Sequence, residues 1–258
     1  METVRHDGRE TAYRVAGDDA SADALYVHGS GATHRLWGAQ YGRDGPVRPA
    51  AALDLSGHGA SDDVATDPGE TSLRAYARDV VAVAESTGAE TLVGNSLGGA
   101  VALRVALDTD FDPRALVLAG TGSRLAVGED LREWLADDFD RAVDFLHGPD
   151  RLFHDADERT LDRSREQLRA TGRAVTRRDF LTCHDFDVRD RLEEVEAPAL
   201  AVVGEHDSLT PPAFHEYLAE HLSDCEYVEI PDAAHLSMAE RPEAFGRAVA
   251  RFLDSLAD

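Results

Sequence analysis

The chain has 258 residues, 50 of them acidic and 26 basic, and a formal net charge of −24 at pH 7. This length is enough for one large domain with a full core or for two small ones, and the negative charge disfavours nucleic acid and anionic membrane surfaces as partners. Cys183 and Cys225 are the only cysteines, so no disulfide framework or cysteine metal site is expected. No apolar run approaches the roughly 18 residues of a membrane span, and no signal-peptide pattern is present, which predicts a cytoplasmic location.

All 26 basic residues are arginine, and the chain contains no lysine. The repulsion within so acidic a surface strains a compact state in dilute buffer and is screened at molar salt, where the Debye length is about 3 Å. The composition resembles that of proteins from salt-accumulating haloarchaea, which implies a high-salt cytosol. An acidic face for a cationic partner is the alternative, but the acidic residues are spread over the whole chain.

The resemblance to halophilic proteins predicts that fold and activity depend on salt. We expect both to be kept in molar KCl and lost in dilute buffer, because only the salt screens the surface carboxylates. Circular dichroism and turnover measured across a KCl series check this expectation. Full stability without salt would contradict the halophilic interpretation.

The N-terminal part of the chain predicts short strands. Residues 9–16 alternate weakly in polarity, as in an edge strand of a hairpin whose turn is 6–8. Residues 24–27 and 49–54 are short apolar runs typical of buried strands.

A helix is predicted from Leu73 onward, because apolar residues recur there at helical spacing. Thr71 or Ser72 is the expected N-cap, and Gly88 is expected to end the helix.

Residues 90–107 predict a strand, a sharp turn and a helix. The turn is Gly94-Asn95-Ser96-Leu97-Gly98-Gly99, in which glycines flank a serine at the apex. Glycine permits so tight a turn, which lifts the serine hydroxyl clear of the sheet, and the start of a helix favours developing negative charge. Ser96 is therefore a candidate nucleophile.

Further apolar strands are predicted at residues 115–119, 199–204 and 226–230, alternating with helices. Nearly continuous apolar strands of this kind predict a mostly parallel sheet covered on both faces. Residues 124–191 differ, because their apolar residues recur only at helical spacing. We interpret 1–123 and 192–258 as a core and 124–191 as a helical cap. The 13 arginines of the cap either pair with acidic residues on exposed helix faces, which we favour, or reach the site to hold an anionic group.

Two residues after later strands are candidate partners of Ser96. Asp207 follows the strand at 199–204, and His235 follows the last strand. Because the carboxyl ends of parallel strands meet at one sheet edge, Ser96, Asp207 and His235 are expected to converge there. A serine needs an adjacent base that a third group orients, so these residue types predict a Ser–Asp–His triad.

At this point the chain resembles the α/β-hydrolase superfamily, whose triad has the same order. The motifs that carry the resemblance occur in sequence order at residues 28–31, 54–61, 94–99, 204–207 and 234–242. The resemblance implies an α/β-hydrolase fold with a cap, and no cofactor. It also implies an oxyanion hole formed by the backbone N–H groups of Ser30 and Leu97.

Other polar residues have weaker claims. His34 is a possible pocket residue because it lies near the oxyanion loop, and Trp37 and Trp134 are further possible pocket-lining residues. His154 stands near Asp155 and Asp157, but an acidic turn explains this group better than a metal site does. We therefore predict no metal.

His28 is expected to order the oxyanion loop and His58 to pack within its own turn. Asp54 is expected to stabilise the turn that follows it. His206 is expected to point away from the site, because neighbouring strand residues face opposite sides.

The sequence predicts a serine hydrolase, of carboxylesterase type, that acts on a small and largely apolar ester. A C–C bond hydrolase, a lyase of the menaquinone-pathway type and a cofactor-free haloperoxidase use the same triad, and the lyase would need arginines facing the pocket. A non-catalytic ligand receptor is a further alternative. The fold does not name the substrate, and the oligomeric state cannot be inferred from the sequence.

Overall fold

A computed structural model describes residues 1–17, 22–42, 45 and 49–256 and contains an eight-stranded sheet. The strands are β1 (Glu2–His6), β2 (Arg9–Ala16), β3 (Ala24–Val27), β4 (Ala50–Leu53), β5 (Thr91–Asn95), β6 (Ala115–Ala119), β7 (Ala199–Gly204) and β8 (Cys225–Ile230). Their order across the sheet is β1-β2-β4-β3-β5-β6-β7-β8. The α/β-hydrolase fold predicted from the sequence is confirmed.

The six strands from β3 to β8 are parallel, whereas β2 pairs antiparallel with both β1 and β4. The prediction of residues 9–16 as an edge strand is therefore wrong, since β1 forms the edge and β2 is the second strand. Every residue within the five strands β3, β4, β5, β6 and β7 is buried. This burial on both faces explains why those strands lack polar alternation.

Helices cover both faces of the sheet. They are α1 (Gly38–Tyr41), α2 (Glu70–Thr87), α3 (Leu97–Asp108), α4 (Glu129–Asp137), α5 (Phe139–Leu146), α6 (Glu158–Thr171), α7 (Arg173–Asp185), α8 (Pro212–His221), α9 (Ser237–Glu240) and α10 (Pro242–Ser255). Alternate strand residues pack on one face with α2, α3 and α8 and on the other with α10 and Trp37. In the described part of the chain, no helix is long and apolar enough to cross a membrane.

Helix α2 begins earlier than the sequence predicts. Its N-cap is Gly69, and no side chain caps it. Thr71 and Ser72 lie in the first turn, where their hydroxyls donate to the Asp67 carbonyl at 2.8 and 2.7 Å. The helix ends as predicted, since Gly88 adopts the left-handed conformation with φ 71°.

Helices α4 to α7 all lie between β6 and β7, in the predicted cap segment 124–191. A bridge between Arg124 and Asp187 joins the two ends of this segment, and the Val188 N–H donates to the Ser123 carbonyl at 2.8 Å. Its helices have a small apolar cluster of their own that includes Leu131, Leu135 and Val143. The division into core and cap at these boundaries stays a prediction.

Candidate active site

Ser96 lies at the sharp turn between β5 and α3. Its backbone has φ 55° and ψ −116°, a conformation that costs free energy for a residue with a Cβ atom. Neither flanking glycine has room for a side chain: a Cβ atom would meet the Gly98 backbone at Gly94 and the Val27 carbonyl at Gly98. The Ser96 N–H donates to the Ala119 carbonyl at 2.9 Å, which fixes the turn to β6.

Asp207 and His235 form a buried hydrogen-bonded pair. Nδ1 of His235 lies 2.9 Å from Oδ2 of Asp207, and the two residues are 5% and 2% exposed. Because an ionised carboxylate only accepts hydrogen bonds, the His235 proton on this side is on Nδ1. Nε2 of the neutral ring is then free to accept a proton.

The surroundings of Asp207 keep it ionised. Burial by itself raises its pKa, but the His235 imidazole and hydrogen bonds from Thr210 outweigh burial, so the pKa lies below its usual range. The Thr210 hydroxyl donates to Oδ2 at 2.7 Å, and the N–H groups of Leu209 and Thr210 both donate to Oδ1 at 2.9 Å. The carboxylate is therefore held in one orientation toward His235.

Residues 150–152, just after α5, support both loops of this pair. The Ser208 N–H donates to the Asp150 carbonyl at 2.9 Å, and the His235 N–H donates to the Arg151 carbonyl at 3.1 Å. Leu236 donates in the same way to Leu152 at 3.0 Å. These contacts are made by backbone atoms, so no residue type in the sequence could have indicated them.

Ser30 lies in the loop after β3, opposite the nucleophile turn. Within the described residues, the N–H groups of Ser30 and Leu97 donate to no protein acceptor, as an oxyanion hole requires. The next N–H along the loop, that of Gly31, donates to Oδ2 of Asp179 at 3.1 Å. His28 bonds the Gly29 carbonyl at 2.8 Å and accepts from the Leu55 N–H at 3.0 Å.

Ser96, Ser30 and His235 all line a cavity of about 530 Å³, which is within the usual size range of ligand sites. More than half of the lining residues come from segment 124–191. The walls are largely apolar and include Leu131, Phe145, Leu168, Phe180, Leu209 and Phe214. The amphipathic pattern of the segment was visible in the sequence, but not which side chains would face Ser96.

The three predicted pocket residues do not line this cavity, so that prediction is wrong. His34 bonds Oδ1 of Asp54 at 2.8 Å. Trp37 is fully buried against Tyr26 and Phe245 on the face of the sheet that α10 covers. Trp134 packs on Phe145. Proximity in sequence to the oxyanion loop was therefore misleading for His34, because the cavity is built by distant segments.

The remaining polar candidates have structural partners. Asp54 accepts from the Ala60 N–H at 3.0 Å, which stabilises the following turn as expected. The His206 ring is outside the cavity and stacks on His154 at 3.7 Å between ring centroids. Asp157 caps α6 by accepting from Thr160. The side chains of Asp150, His154 and His206 bring potential ligand atoms within 4.8 Å of one another at the surface; the absence of a metal stays a prediction.

The sequence suggested that His58 packs within its own turn, but the structure shows that it also bonds a residue of helix α7. Its Nδ1 is 3.2 Å from the Ser56 carbonyl, but its Nε2 is 2.9 Å from Oδ2 of Asp179 on α7. Burial lowers the pKa of His58, but Asp179 outweighs burial and raises it above its usual value. His58, in the loop after β4, and Asp179, on α7, therefore form a buried ion pair between two distant segments of the chain.

Two other buried histidines are expected to make the protein less stable in mild acid. Burial lowers the pKa of His28 and of His215 to about 4, whereas histidine in an unfolded chain has a pKa of about 6.5. Between these values the unfolded state binds more protons, so stability falls as the pH drops from about 6.5 toward 4. At about pH 5 the loss is about 2 kcal/mol for each histidine.

Urea unfolding at about pH 7 and pH 5, both in molar KCl to screen the net charge, measures this loss. The raised pKa of His58 acts in the opposite direction only above about pH 6.5, because the stability that His58 contributes is fully present below that pH. An unfolding free energy that stays constant or rises toward pH 5 would contradict the prediction.

Comparison with known proteins agrees with this architecture. A model of the alpha/beta hydrolase family matches residues 24–248, and the chain therefore belongs to that family. A pimeloyl-(acyl-carrier protein) methyl ester esterase of Neisseria meningitidis serogroup C is 29% identical, over 96% of this chain and 100% of that protein. A 2-hydroxy-6-oxo-6-(2'-aminophenyl)hexa-2,4-dienoic acid hydrolase of Metapseudomonas resinovorans is 27% identical, over 99% and 91%.

A solved structure of a thermophilic esterase is also similar. It is 29% identical, covers 99% of this chain and 97% of its own, and superposes with a TM-score of 0.86. The protein is thus an esterase-like hydrolase of the alpha/beta family.

Proposed function

We propose that the protein hydrolyses a small, largely apolar carboxylic ester through an acyl-enzyme on Ser96. The observation that carries the proposal is the buried Asp207–His235 pair, which meets the strained Ser96 turn at one apolar cavity. Hydrolases that are similar over nearly the whole chain, including two named as esterases, support the reaction class.

Each residue of the triad has one role in this reaction. Ser96 attacks the acyl carbon, and Nε2 of His235 takes the hydroxyl proton and then gives it to the leaving alcohol. Asp207 holds the Nδ1–H tautomer and stabilises the imidazolium. Water then attacks the acyl-enzyme with His235 as the base and releases the acid.

The oxyanion formed in both steps would accept hydrogen bonds from the backbone N–H groups of Ser30 and Leu97. Each donor in such a hole is worth about 3–4 kcal/mol of barrier. The bond from Gly31 to Asp179 holds the Ser30 loop in place from the side of α7.

The cavity walls bear on the alternatives. Within the described chain, none of the residues that line the cavity is an arginine, which counts against the menaquinone-type lyase. C–C bond hydrolysis by the same triad is the second candidate, because a relative named as a dienoic acid hydrolase is 27% identical.

A labelling experiment tests the proposed nucleophile and reaction together. The protein in molar KCl is incubated with a fluorophosphonate probe and, separately, with p-nitrophenyl esters from acetate to octanoate. We expect one label, located on Ser96 by peptide mass spectrometry, and turnover of the esters. Labelling without ester turnover favours C–C hydrolysis or a receptor, and folded protein that is not labelled contradicts the triad.

A further inference from the structure

We propose that the cavity selects acyl groups without negative charge and rejects substrates whose acyl end is a carboxylate. This inference names the substrate class of the proposed esterase site and rests on that function, but binding alone can test it.

The only acidic side chains that line the cavity are Glu129 and Asp130, in the described chain. Both are exposed and belong to the first turn of α4, where the helix dipole stabilises carboxylates. The neighbouring lining residues Ala126 and Gly128 are exposed as well. The cavity therefore reaches solvent at this stretch, as it also does at the exposed lining residues Ser208 and Phe214, and two negative charges lie at one of its openings.

Among the described residues, no arginine lines the cavity beside these two carboxylates. Segment 124–191 contains 13 arginines, yet none lines the cavity. Two arginines contact lining residues through backbone carbonyls. Nε of Arg132 donates to the Val127 carbonyl at 3.2 Å. The guanidinium of Arg151 donates to the Phe145 carbonyl and lies over the Phe145 ring. Other arginines form ion pairs with carboxylates; a guanidinium nitrogen of Arg169, for example, lies 3.0 Å from Oδ1 of Asp140.

An ionised carboxylate in such a cavity loses water without gaining a partner of opposite charge, which is unfavourable. Uncharged groups are accommodated better. Helix α6 presents Ser164, Gln167 and Leu168 to the cavity on one face. A hydroxyl, an amide and an alkyl group at these positions suit an apolar or neutral polar acyl end, but none of them neutralises an anion.

Two substrates of equal shape isolate the effect of charge: the p-nitrophenyl monoester of adipic acid and the p-nitrophenyl ester of its monoamide. They differ only in whether the far end is a carboxylate or an amide. We expect kcat/KM for the amide to exceed that for the carboxylate by about 100-fold. Equal values, or preference for the carboxylate, would overturn the proposal.

Matched variants test the two mouth carboxylates. The double substitution Glu129→Gln and Asp130→Asn is expected to reduce the preference for the amide about twofold in molar KCl, because both carboxylates are exposed and the salt screens them. Glu133→Gln is the control, since Glu133 is exposed on the same helix but outside the lining. If Glu133→Gln reduced the preference for the amide by as much, the effect would belong to the whole acidic surface, and the two carboxylates of the cavity lining would have no special role.

A binding measurement separates this inference from the proposed chemistry. Calorimetry with Ser96→Ala compares the Kd values of monomethyl adipate and of the methyl ester of adipic monoamide. Tighter binding of the amide supports the inference even where the wild type cleaves no ester, a result that rejects only the esterase proposal. Equal or tighter binding of the carboxylate overturns the inference whatever the turnover.

Discussion

Replacing Ser96 with alanine is expected to lower kcat for ester hydrolysis by about 10⁶-fold, the scale seen when a serine nucleophile is removed. The alanine has no oxygen to form the acyl-enzyme, and the remaining groups only polarise the ester. The melting temperature is expected to change by a few degrees at most, because alanine and serine both carry a Cβ atom and adopt φ 55° at a similar cost in free energy. Turnover assays and thermal unfolding of purified variants measure both quantities.

Ser164→Ala is the matched control for this variant. Ser164 lines the same cavity from α6, so the substitution removes a hydroxyl group from that cavity and leaves the Asp207–His235 pair intact. Its kcat is expected to stay within about tenfold of the wild type, the scale of a single neutral hydrogen bond. If Ser96→Ala retained turnover close to that of Ser164→Ala, Ser96 would not be the nucleophile.

Asp179→Asn is expected to destabilise the protein by about 3–5 kcal/mol, the scale of breaking a buried ion pair. The Asp179 carboxylate is fully buried and accepts from the Gly31 N–H, from His58 and from the Tyr76 hydroxyl, the last at 2.7 Å. An amide has one acceptor oxygen and would turn its NH₂ group toward donors. We also expect a lower kcat, because the Gly31 bond orders the loop that carries Ser30.

Urea unfolding at about pH 7 measures the destabilisation, with Asp185→Asn as the control. Asp185 is on the same helix, α7, but is exposed, and its substitution is expected to change stability by less than about 0.5 kcal/mol. Equal stability of the two variants would show that the Asp179 network does not join segment 124–191 to the core. Loss of stability without loss of kcat would restrict Asp179 to the fold.

The sequence was a good guide wherever one short segment carries the physical reason. The apolar strand, the glycines and the serine of residues 90–99 predicted the strand, turn and helix of the nucleophile region, because the glycines are required by contacts within that turn and with β3. The order of strands likewise predicted that Asp207 and His235 meet, and the structure places them at 2.9 Å. Their catalytic roles remain part of the proposal.

The sequence was a poor guide where contacts join distant segments. His58 looked like a residue of its own turn, yet it pairs with Asp179, which is 121 positions away. His34 looked like a pocket residue because it follows the oxyanion loop, but it bonds Asp54, and Trp37, also predicted to line the pocket, is buried among apolar side chains. Spacing along the chain reports on the geometry of one helix or strand, not on which side chain another element supplies.

The amino-acid sequence by itself thus determined the class of fold, the nucleophile turn and the residues available for a triad, because backbone sterics and hydrophobic periodicity act locally. Only the tertiary structure decided the walls of the cavity, the absence of arginine from its described lining and the backbone support from residues 150–152. Those features depend on how segment 124–191 packs over the sheet edge, and helices with one apolar face can pack in many orientations until their partners are in place.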